Sequence, residues 1–428
     1  MSESMLPVVL FSLFLITLVV GIPISFSLGI SSLICLYALD VPLTVVPQRL
    51  FTAMDSFPLM AIPFFILSGN LMTEGGISKR LLEFASAILG NIRGSIAMAC
   101  ILACAFFAAL SGSGPATVVA IGSMVYPELI ARGYPAEKMA GMIAVSGGLG
   151  PIIPPSIIMV IYCTITDNSI RALFAAGFSV GTIFAAGLIA VTYILAVIEN
   201  WPVTGKKFSF GFAFAAFRHA VFALLMPVII LGGIYGGIFT PTEAAAVSVG
   251  YAYIVSVHIY RNLRIKDCCD IMYKSAISSA VILFIIATSN IFSWLFAYGG
   301  ITDTLVNSIS SLGLGYWGIL LLLSTILLIF GLFLEGTAII ILLMPIFYPL
   351  AMNVGIDPIH FGIVVCTSIV IGTFTPPVAV NVFAAATFSK LSVEEIARGE
   401  IAWLAAMVVM LLIIIVFPEL SLWPVRML

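Results

Sequence analysis

Small polar residues and glycines interrupt two long apolar segments of the chain at their centres. The first interruption is the sequence SGSGP at residues 111–115, and the second is EGT at residues 335–337. Glycine lets the backbone bend sharply, so that carbonyl oxygens are aimed at one point beside the neighbouring hydroxyl groups. Several neutral oxygen ligands of this kind are what Na⁺ requires, and the pattern therefore predicts a sodium site.

Two further interruptions combine glycine with paired prolines. They are GGLGPIIPP at residues 147–155 and GTFTPP at residues 372–377. Proline lacks an amide donor and disfavours helix in the residue before it, which predicts helices that unwind within segments 138–166 and 358–388. A helix that restarts after such a break presents unpaired N–H groups and a positive dipole end, which favour an anionic group. The arrangement predicts a carboxylate substrate.

The predicted ligands of Na⁺ are hydroxyl groups and backbone carbonyls from all four interruptions. They are Ser111, Gly112, Ser113, Gly114, Gly147, Gly150, Gly336, Thr337, Gly372, Thr373 and Thr375. The predicted substrate contacts lie at or just after the restarted helices, at Pro115, Thr117, Pro155, Ser156, Pro377 and Asn381. For any single Ser, Thr or Gly, close packing of helices is an equally good explanation. Their occurrence as a set at four related interruptions favours a binding site.

Glu335 differs from these residues, because a carboxylate at the depth of a membrane is costly and usually functional. Binding a cation, accepting a proton and capping the helix that restarts at Gly336 are all open roles. A proton-coupled path needs further ionisable groups, and Ser113 occupies the matching position in the first half of the chain. Sodium is therefore preferred over protons as the coupling ion.

Composition decides the environment of these residues. Of 428 residues, 62% are apolar and 8% are charged, whereas about 25% of residues are charged in soluble proteins. This excludes a water-soluble protein. The 17 basic and 19 acidic residues leave no basic face for nucleic acid. The seven cysteines lie mostly in apolar runs and the three histidines are dispersed, so neither a disulfide framework nor any metal other than Na⁺ is expected.

The interruptions must be positioned by membrane-spanning helices. Single crossings are predicted over residues 6–22, 24–39, 57–73, 170–198, 219–235, 240–259, 276–298 and 400–417. Segments 94–131 and 317–353 are too long for one crossing and are broken at the centre, which predicts re-entrant hairpins with their tips at membrane depth. The first apolar run lacks a basic leader and a cleavage site, so it is predicted to be a retained span. Stretches 77–91 and 301–312 predict interfacial arm helices or connectors packed on the bundle.

The chain repeats itself with an offset of 222 residues. Tyr126-Pro127 matches Tyr348-Pro349, and residues 150–155 match residues 372–377 at that offset. A constant register across the interruptions indicates a duplication. The predicted units are a first repeat over 1–200, a cytoplasmic linker over 201–218 and a second repeat over 219–428.

Lys and Arg residues indicate how the two repeats are oriented, because short cytoplasmic loops carry the positive excess. The base of the first hairpin carries Arg93, Arg132 and Lys138, whereas the base of the second has Asp357 and no basic residue. The hairpins therefore open to opposite sides, and Arg49, Arg171 and Arg426 are the exceptions to the count. The predicted fold is an all-α polytopic membrane protein of two inverted repeats, each with about five crossings, one re-entrant hairpin and one unwound helix. This topology is typical of secondary transporters.

At these residues the chain resembles the large membrane subunit, the DctM-like M subunit, of tripartite ATP-independent periplasmic (TRAP) transporters in the ion transporter superfamily. The resemblance rests on AIPFF and GNLM at 61–65 and 69–72, SGSGPATVVAIG at 111–122, GPIIPPS at 150–156, GGIYGGIFTPTEAAAV at 232–247 and GTFTPPVAVN at 372–381. It implies secondary uptake driven by a Na⁺ gradient, in which a transport domain containing the hairpins moves as an elevator against a scaffold.

The same resemblance implies partners and a location. A soluble periplasmic binding protein, the P subunit, delivers the substrate, and a small four-helix membrane subunit, the Q subunit, completes the permease in the bacterial inner membrane. The repeat begins almost at Met1, so the small subunit is expected to be a separate chain. Substrates of the family include C4-dicarboxylates and sialic acid, and overall similarity leans slightly toward sialic acid. Membrane lipid is the remaining expected partner, and no organic cofactor is expected.

Three alternatives are weighed against sodium-coupled uptake. A proton-coupled transporter of the same superfamily would work without a binding protein. An intramembrane hydrolase with Ser111 or Ser113 as nucleophile would need a general base, and neither hairpin contains a histidine. A channel would need rings of charge or a carbonyl filter, for which the sequence gives no pattern.

Overall fold

The structure is a computed structural model that describes residues 5–203, 209–300, 309, 313–376 and 379–428. In this part of the chain it is built from helices, with one isolated bridge between Arg93 and Val203. Seven of the described helices are long and apolar enough to cross a membrane, and one bent pair of helices adds an eighth. The predicted all-α membrane protein is confirmed. Pro377, most of the predicted arm 301–312 and residues 204–208 of the predicted linker lie outside the described residues.

In the first half of the chain, the described residues form eleven α-helices and a short 3₁₀ turn at Phe57–Met60. The α-helices are Leu6–Val19, Ile24–Ala38, Val45–Met54, Ala61–Glu74, Ile77–Leu89, Ser95–Ser111, Gly114–Ala131, Ala136–Gly147, Leu149–Ile152, Ile157–Thr166 and Ile170–Ile198. The described part of the second half has a similar order of elements. Its α-helices are Phe210–Tyr235, Pro241–Tyr253, Ile265–Tyr298, Gly315–Gly331, Gly336–Asn353, Pro358–Gly372, Val380–Ser389, Val393–Val416 and Glu419–Leu422.

Some predicted spans differ in length from the helices that form. Leu6–Val19 has 14 residues and Ile24–Ala38 has 15, because Gly21 at φ 90° and Pro23 end one helix and start the next. In contrast, the span predicted over 276–298 is part of the 34-residue helix Ile265–Tyr298. Glycine and proline between the first two helices thus shorten them. The helix Ile265–Tyr298 is longer than predicted because it includes the polar residues before position 276, which the hydropathy pattern left out of the predicted span.

Each predicted hairpin consists of two helices that end and restart at the predicted interruption. In the first hairpin, Gly112 ends Ser95–Ser111 in the left-handed conformation at φ 59°, and an extended Ser113 precedes the helix Gly114–Ala131. In the second hairpin, residues 332–334 form the turn and an extended Glu335 precedes the helix Gly336–Asn353. Glycine tolerates the left-handed turn of the first tip without the steric cost that a side chain would add.

The two unwound helices also break where proline and glycine predicted. In the first broken helix, Ala136–Ile152 is followed by Ile157–Thr166 with a bend of 40° between them. In the second broken helix, Pro358–Gly372 is followed by Val380–Ser389. Proline cannot continue the ladder of amide hydrogen bonds, so the regular helical bonding is interrupted between the two segments of each broken helix.

Hairpins and broken helices of the two halves pack reciprocally. The returning helix of the first hairpin, Gly114–Ala131, lies against Val380–Ser389 of the second broken helix. The returning helix of the second hairpin, Gly336–Asn353, lies against Ile157–Thr166 of the first broken helix. Because each half holds the hairpin of the other, both tips and both breaks are brought to one region of the molecule.

The remaining helices surround this region. Ile77–Leu89, at the predicted first arm, packs on Ser95–Ser111 and on Phe210–Tyr235. Six of the seven cysteines are buried, as expected for packing residues, and Cys269 is exposed. Large apolar side chains such as Val8, Val19 and Ile198 are exposed on the outside of the bundle, as expected for contact with lipid.

Candidate functional site

The two hairpin tips and the two helix breaks line one cavity of about 140 Å³. Nine of the predicted site residues lie on its wall: Gly112, Ser113, Gly114, Pro115, Glu335, Gly336, Thr337, Thr373 and Asn381. The rest of the lining is apolar and consists of Pro151, Ile157, Ile158, Ile282, Ile369, Val370 and Val380. Residues up to 269 positions apart in sequence therefore contribute to one site.

The tip of the first hairpin is braced by its own hydroxyl groups. The Ser111 and Thr117 hydroxyl oxygens lie 3.0 Å apart, and the Thr117 hydroxyl donates to the Ser113 carbonyl at 2.8 Å. Both side chains are buried. Ser111 and Thr117 thus lie one layer behind the cavity wall and hold the turn that presents Ser113.

Two glycines of the first broken helix allow it to approach this tip closely. A Cβ atom on Gly150 would lie 2.7 Å from the Ser113 carbonyl oxygen, and one on Gly147 would lie 3.0 Å from the Gly114 carbonyl oxygen. Both distances are shorter than ordinary contacts of a methyl group. Gly147 and Gly150 therefore serve close backbone approach and are not among the residues that line the cavity.

The end of the first break is held by a local hydrogen bond. The Ser156 hydroxyl donates to the Pro151 carbonyl at 2.6 Å, and a Cβ atom on Gly112 would lie 2.7 Å from the Pro155 carbonyl oxygen. Ser156 is also the residue before the helix Ile157–Thr166. The predicted substrate residues Pro155 and Ser156 therefore lie against the first hairpin, next to the cavity wall.

The tip of the second hairpin carries the charged group of the cavity. The Thr337 hydroxyl donates to the Glu335 carboxylate, and both side chains line the cavity. Gly336 approaches Ile369 of the second broken helix, since a Cβ atom there would lie 3.0 Å from Ile369 Cγ2. Gly372 packs in the same way on the outgoing helix of this hairpin, against the Leu328 carbonyl oxygen.

Hydroxyl groups at the second break are bonded back to the helix that ends there. The Thr373 hydroxyl donates to the Val370 carbonyl at 2.7 Å, and the Thr375 hydroxyl donates to the Ile371 carbonyl at 2.8 Å. Each hydroxyl oxygen keeps lone pairs for a further partner. Of the two, Thr373 reaches the cavity wall.

Asn381 joins the two halves of the chain at the cavity. Its side-chain amide donates to the Ala144 carbonyl at 3.2 Å, and the side chain is 1% exposed. Its Oδ1 atom is buried and accepts no hydrogen bond from the described residues. A buried acceptor without a partner costs about 1–3 kcal/mol, so this oxygen is a strong candidate to contact a ligand.

The donor set of the cavity fits Na⁺. It offers hydroxyl, carboxylate, amide and backbone oxygens, which are hard ligands, and no sulfur or imidazole. Within the described ranges there is also no group of three or more His, Cys, Asp or Glu residues that would hold a transition metal. The unpartnered Oδ1 atom of Asn381 is the feature that most directly calls for a cation or a donor from a substrate.

One buried acidic residue, Glu400, was not singled out in the sequence analysis. Glu400 in Val393–Val416 is fully buried, and its carboxyl oxygens have no hydrogen-bond partner among the described residues. It lies against Gly141 of the first broken helix, where a Cβ atom would be 2.5 Å from the Glu400 backbone nitrogen. Its position within a largely apolar predicted span was the feature of the sequence that could have identified it. Glu400 lies outside the cavity lining.

Comparison with known proteins shows similarity to one transporter family over nearly the whole chain. Residues 11–420 match the model of the family described as tripartite ATP-independent periplasmic transporter, DctM component. The C4-dicarboxylate TRAP transporter large permease DctM of Rhodobacter capsulatus is 39% identical over 97% of both chains. The protein of the same name from Pseudomonas aeruginosa is 42% identical over 87% of both chains.

Two further similarities extend the comparison. The sialic acid TRAP transporter large permease SiaM of Vibrio cholerae is 32% identical over 94% of both chains. The crystal structure of the YdaH transporter of Alcanivorax borkumensis has a TM-score of 0.66 over 89% of both chains at 13% identity, which shows a common fold.

Proposed function

The chain belongs to the DctM component family of TRAP transporters, and from this premise we propose that it takes up a small organic anion by coupling to Na⁺. The family makes it a transporter permease and not an enzyme. The observation that carries the proposal is the single cavity to which both hairpin tips and both helix breaks contribute. Paired half-helix ends and loose carbonyls around one site are the features by which secondary transporters bind an ion and an anion together.

Sodium coupling is supported by the chemistry of the cavity. Moving one elementary charge across 100 mV supplies about 2.3 kcal/mol. Cations that accompany a carboxylate offset its negative charge and draw it inward with the membrane potential. The oxygens of Ser113, Thr337, Thr373 and Asn381 supply neutral ligands for such a cation, and Glu335 adds one negative charge.

An elevator motion is supported by the reciprocal packing of the two halves. Residues 95–198 and 315–422 hold both hairpins and both broken helices, which contact each other across the halves. Residues 6–89 and 210–298 form the surrounding helices. We propose that the first group moves as one body against the second and carries the cavity from one side of the membrane to the other.

The substrate class follows the most similar relatives. Large permeases named for C4-dicarboxylates are 39% and 42% identical to this chain, whereas the one named for sialic acid is 32% identical. A relative named for isethionate is 38% identical. A short carboxylate of C4-dicarboxylate size is therefore preferred over sialic acid, in contrast to the preference drawn from the sequence alone. The cavity of about 140 Å³ agrees with a small substrate.

The partners are those of a tripartite system. The family name specifies a tripartite and periplasmic transporter, and a relative from Oleidesulfovibrio alaskensis is named DctMQ, which joins the names of two membrane subunits. We propose that this chain acts in the bacterial inner membrane with a small membrane subunit and a periplasmic binding protein. The exposed apolar side chains of the outer helices face lipid.

Reconstitution tests the proposal. The chain and its small subunit are placed in liposomes, and uptake of labelled succinate delivered by the cognate binding protein is measured with and without an inward Na⁺ gradient. We expect uptake that requires both the gradient and the binding protein. Uptake that ignores Na⁺, or that proceeds equally without the binding protein, would falsify the proposal.

Proton coupling is the second candidate, and the observation that favours it is the Glu335 carboxylate on the cavity wall. The same liposomes distinguish it. A proton-coupled transporter would accumulate succinate in response to an inward pH gradient at equal Na⁺ on both sides, and a Na⁺-coupled one would not.

A further inference from the structure

A second polar cavity lies beside the central one. It has a volume of about 380 Å³, and five of its ten lining residues carry a hydroxyl or amide group: Thr52, Ser56, Thr164, Asn290 and Ser293. Its lining contains no charged residue. Pockets for small molecules usually span about 300–1,000 Å³ and are lined by apolar walls with a few polar groups, and this cavity has that character.

The second cavity continues the central one along the same helices. On Ile265–Tyr298 the lining passes from Ile282 in the central cavity to Ile286 and Asn290 in the second. On Gly336–Asn353 it passes from Thr337 to Ile341. One helical turn advances about 5.4 Å, so the two cavities follow each other along the axes of these two helices.

The distribution of Lys and Arg places the second cavity on the outer side. Segment 138–166 starts at Lys138, at the basic and therefore internal base of the first hairpin, so the loop that follows it at Asp167 is expected to be external. The lining residue Thr164 lies three positions before Asp167. The helix Ile265–Tyr298 begins near Arg261, Arg264 and Lys266, and this basic cluster indicates the inner side, whereas Asn290 and Ser293 lie near its other end. A substrate arriving from outside would meet this cavity before the central one.

Three of its polar side chains have no hydrogen-bond partner among the described residues. The Thr52 and Thr164 hydroxyls donate to backbone carbonyls of their own helices, at 2.9 Å and 2.8 Å. The side chains of Ser56, Asn290 and Ser293 make no hydrogen bond with the described residues, although none of the three is fully exposed. Their donors are therefore free for a solute, and each of these groups can donate to a carboxylate oxygen.

A cation stands beside the same cavity. Arg49 precedes the lining residues Thr52 and Ala53 by three and four positions on one helix, so it lies on the same face. Its guanidinium carbon is 5.3 Å from the ring centre of Trp294, the residue next to Ser293. This contact holds the charge beside the helix that carries Ser293, and no carboxylate of the described residues lies within ion-pair distance of Arg49.

We propose that this cavity is an outer capture site for the carboxylate substrate, with Arg49 as the attracting charge and Asn290 and Ser56 as hydrogen-bond donors. The inference rests on the proposed uptake function and adds a site to it. It also gives a role to Arg49, which violates the preference of basic residues for the inner side. Asp55 follows the same helix, is exposed and makes no ion pair with Arg49, so it serves as a comparison charge of opposite sign.

Thiol labelling tests occupancy directly. Ser293→Cys is introduced in a Cys269→Ser background, because Cys269 is the exposed native cysteine. We expect a membrane-impermeant maleimide added outside to label Ser293→Cys, and succinate to slow labelling severalfold more than its uncharged diamide does. Ser278→Cys is the matched control, since Ser278 is exposed on the same helix in the predicted inner half, and it is labelled with a membrane-permeant maleimide so that the reagent reaches it. Its labelling should not respond to succinate.

Charge substitution tests the role of Arg49. We expect Arg49→Gln to reduce protection of Ser293→Cys by succinate about three- to tenfold and to flatten its dependence on ionic strength, because a rim charge acts mainly on capture. Asp55→Asn should leave protection unchanged or increase it. Equal protection by succinate and its diamide, or no effect of Arg49→Gln, would overturn the proposal.

The periplasmic binding protein is used to distinguish a capture site for the substrate from a docking surface for protein. If unloaded binding protein protects Ser293→Cys and Arg49→Gln weakens its affinity for the permease, the region is a docking surface for protein and the capture site is wrong. Failure of Na⁺-driven uptake with intact protection by free succinate would instead contradict the proposed coupling and leave the capture site standing.

Discussion

The side-chain amide of Asn381, from the second half of the chain, lies directly against the backbone of Gly114 at the tip of the first hairpin. A Cβ atom on Gly114 would be 2.9 Å from Asn381 Oδ1. Since the other end of the amide donates to the Ala144 carbonyl, Asn381 joins the second broken helix to both the first hairpin and the first broken helix. The unpartnered Oδ1 atom is thereby held at the cavity wall.

Asn381→Ala is expected to impair binding more than folding. It removes the buried oxygen and a hydrogen bond worth about 1 kcal/mol, and we expect uptake to fall at least about tenfold with a modest drop in melting temperature. Asn381→Asp keeps an oxygen at the site and should retain Na⁺ dependence. Thr387→Ala, an exposed change in the same helix, is the control for both uptake and melting. Equal uptake by Asn381→Ala and Thr387→Ala would show that Asn381 only packs.

Gly150→Ala should disturb the first hairpin tip. The added methyl group would lie 2.7 Å from the Ser113 carbonyl oxygen, and the neighbouring atom is backbone that cannot rotate away. We expect a loss of about 1–3 kcal/mol in stability and a higher Na⁺ requirement for uptake. Gly232→Ala is the matched control, because a Cβ atom there meets nothing within 4 Å. Thermal unfolding in detergent and Na⁺ titration of uptake measure both effects, and similar behaviour of the two variants would contradict the close approach.

Glu335→Gln separates a charge role from a capping role. Glutamine can still accept the hydrogen bond from the Thr337 hydroxyl, but it carries no charge. If the carboxylate contributes to cation binding, the Na⁺ concentration for half-maximal uptake should rise about tenfold, which corresponds to about 1.4 kcal/mol. Thr337→Val removes the hydrogen bond and keeps the charge, so its effect on Na⁺ affinity should be smaller. An unchanged Na⁺ titration of Glu335→Gln would leave capping as its function.

Glu199 gives a stability effect that depends on pH. Burial by itself raises the pKa of this carboxyl, but hydrogen bonds from Lys138 and Trp201 and the charge of Lys138 outweigh it, so the pKa lies below its ordinary value. The carboxylate therefore stabilises the fold above the unfolded pKa of about 4.3, and this contribution is lost as the pH falls through the lower folded pKa.

We expect Glu199→Gln to melt at a slightly lower temperature than the parent at neutral pH, with a difference of about 0.5 kcal/mol because the pair is partly exposed. The difference should shrink as the pH falls below the unfolded pKa and vanish once the pH is below the lowered folded pKa. Glu128→Gln, in a more exposed pair with Arg132, is the control and should show a smaller change. A difference that persists in acid would rule out the ion pair as its cause.

Local chemistry explains why so much of the helical layout was predictable. The positions at which Gly112, Pro115 and the prolines after Gly150 end or start helices depend on φ limits and missing amide donors of those residues, which are local properties. The 222-residue offset in turn predicted that the second half would contain the same elements as the first. Helix lengths were less predictable, as at Leu6–Val19, because packing and turns compete with hydropathy.

The sequence by itself thus determined the membrane environment, the four interruptions and the residue types available for binding an ion and an anion. Only the tertiary structure decided which of those residues share a wall. Ser113 and Thr337 line the cavity, whereas Ser111 and Thr117 brace a turn behind it and Gly150 admits the backbone of a neighbour. The reason is that a small residue suits ligand binding and close packing equally well, and only the partner brought against it by the other half of the chain distinguishes the two.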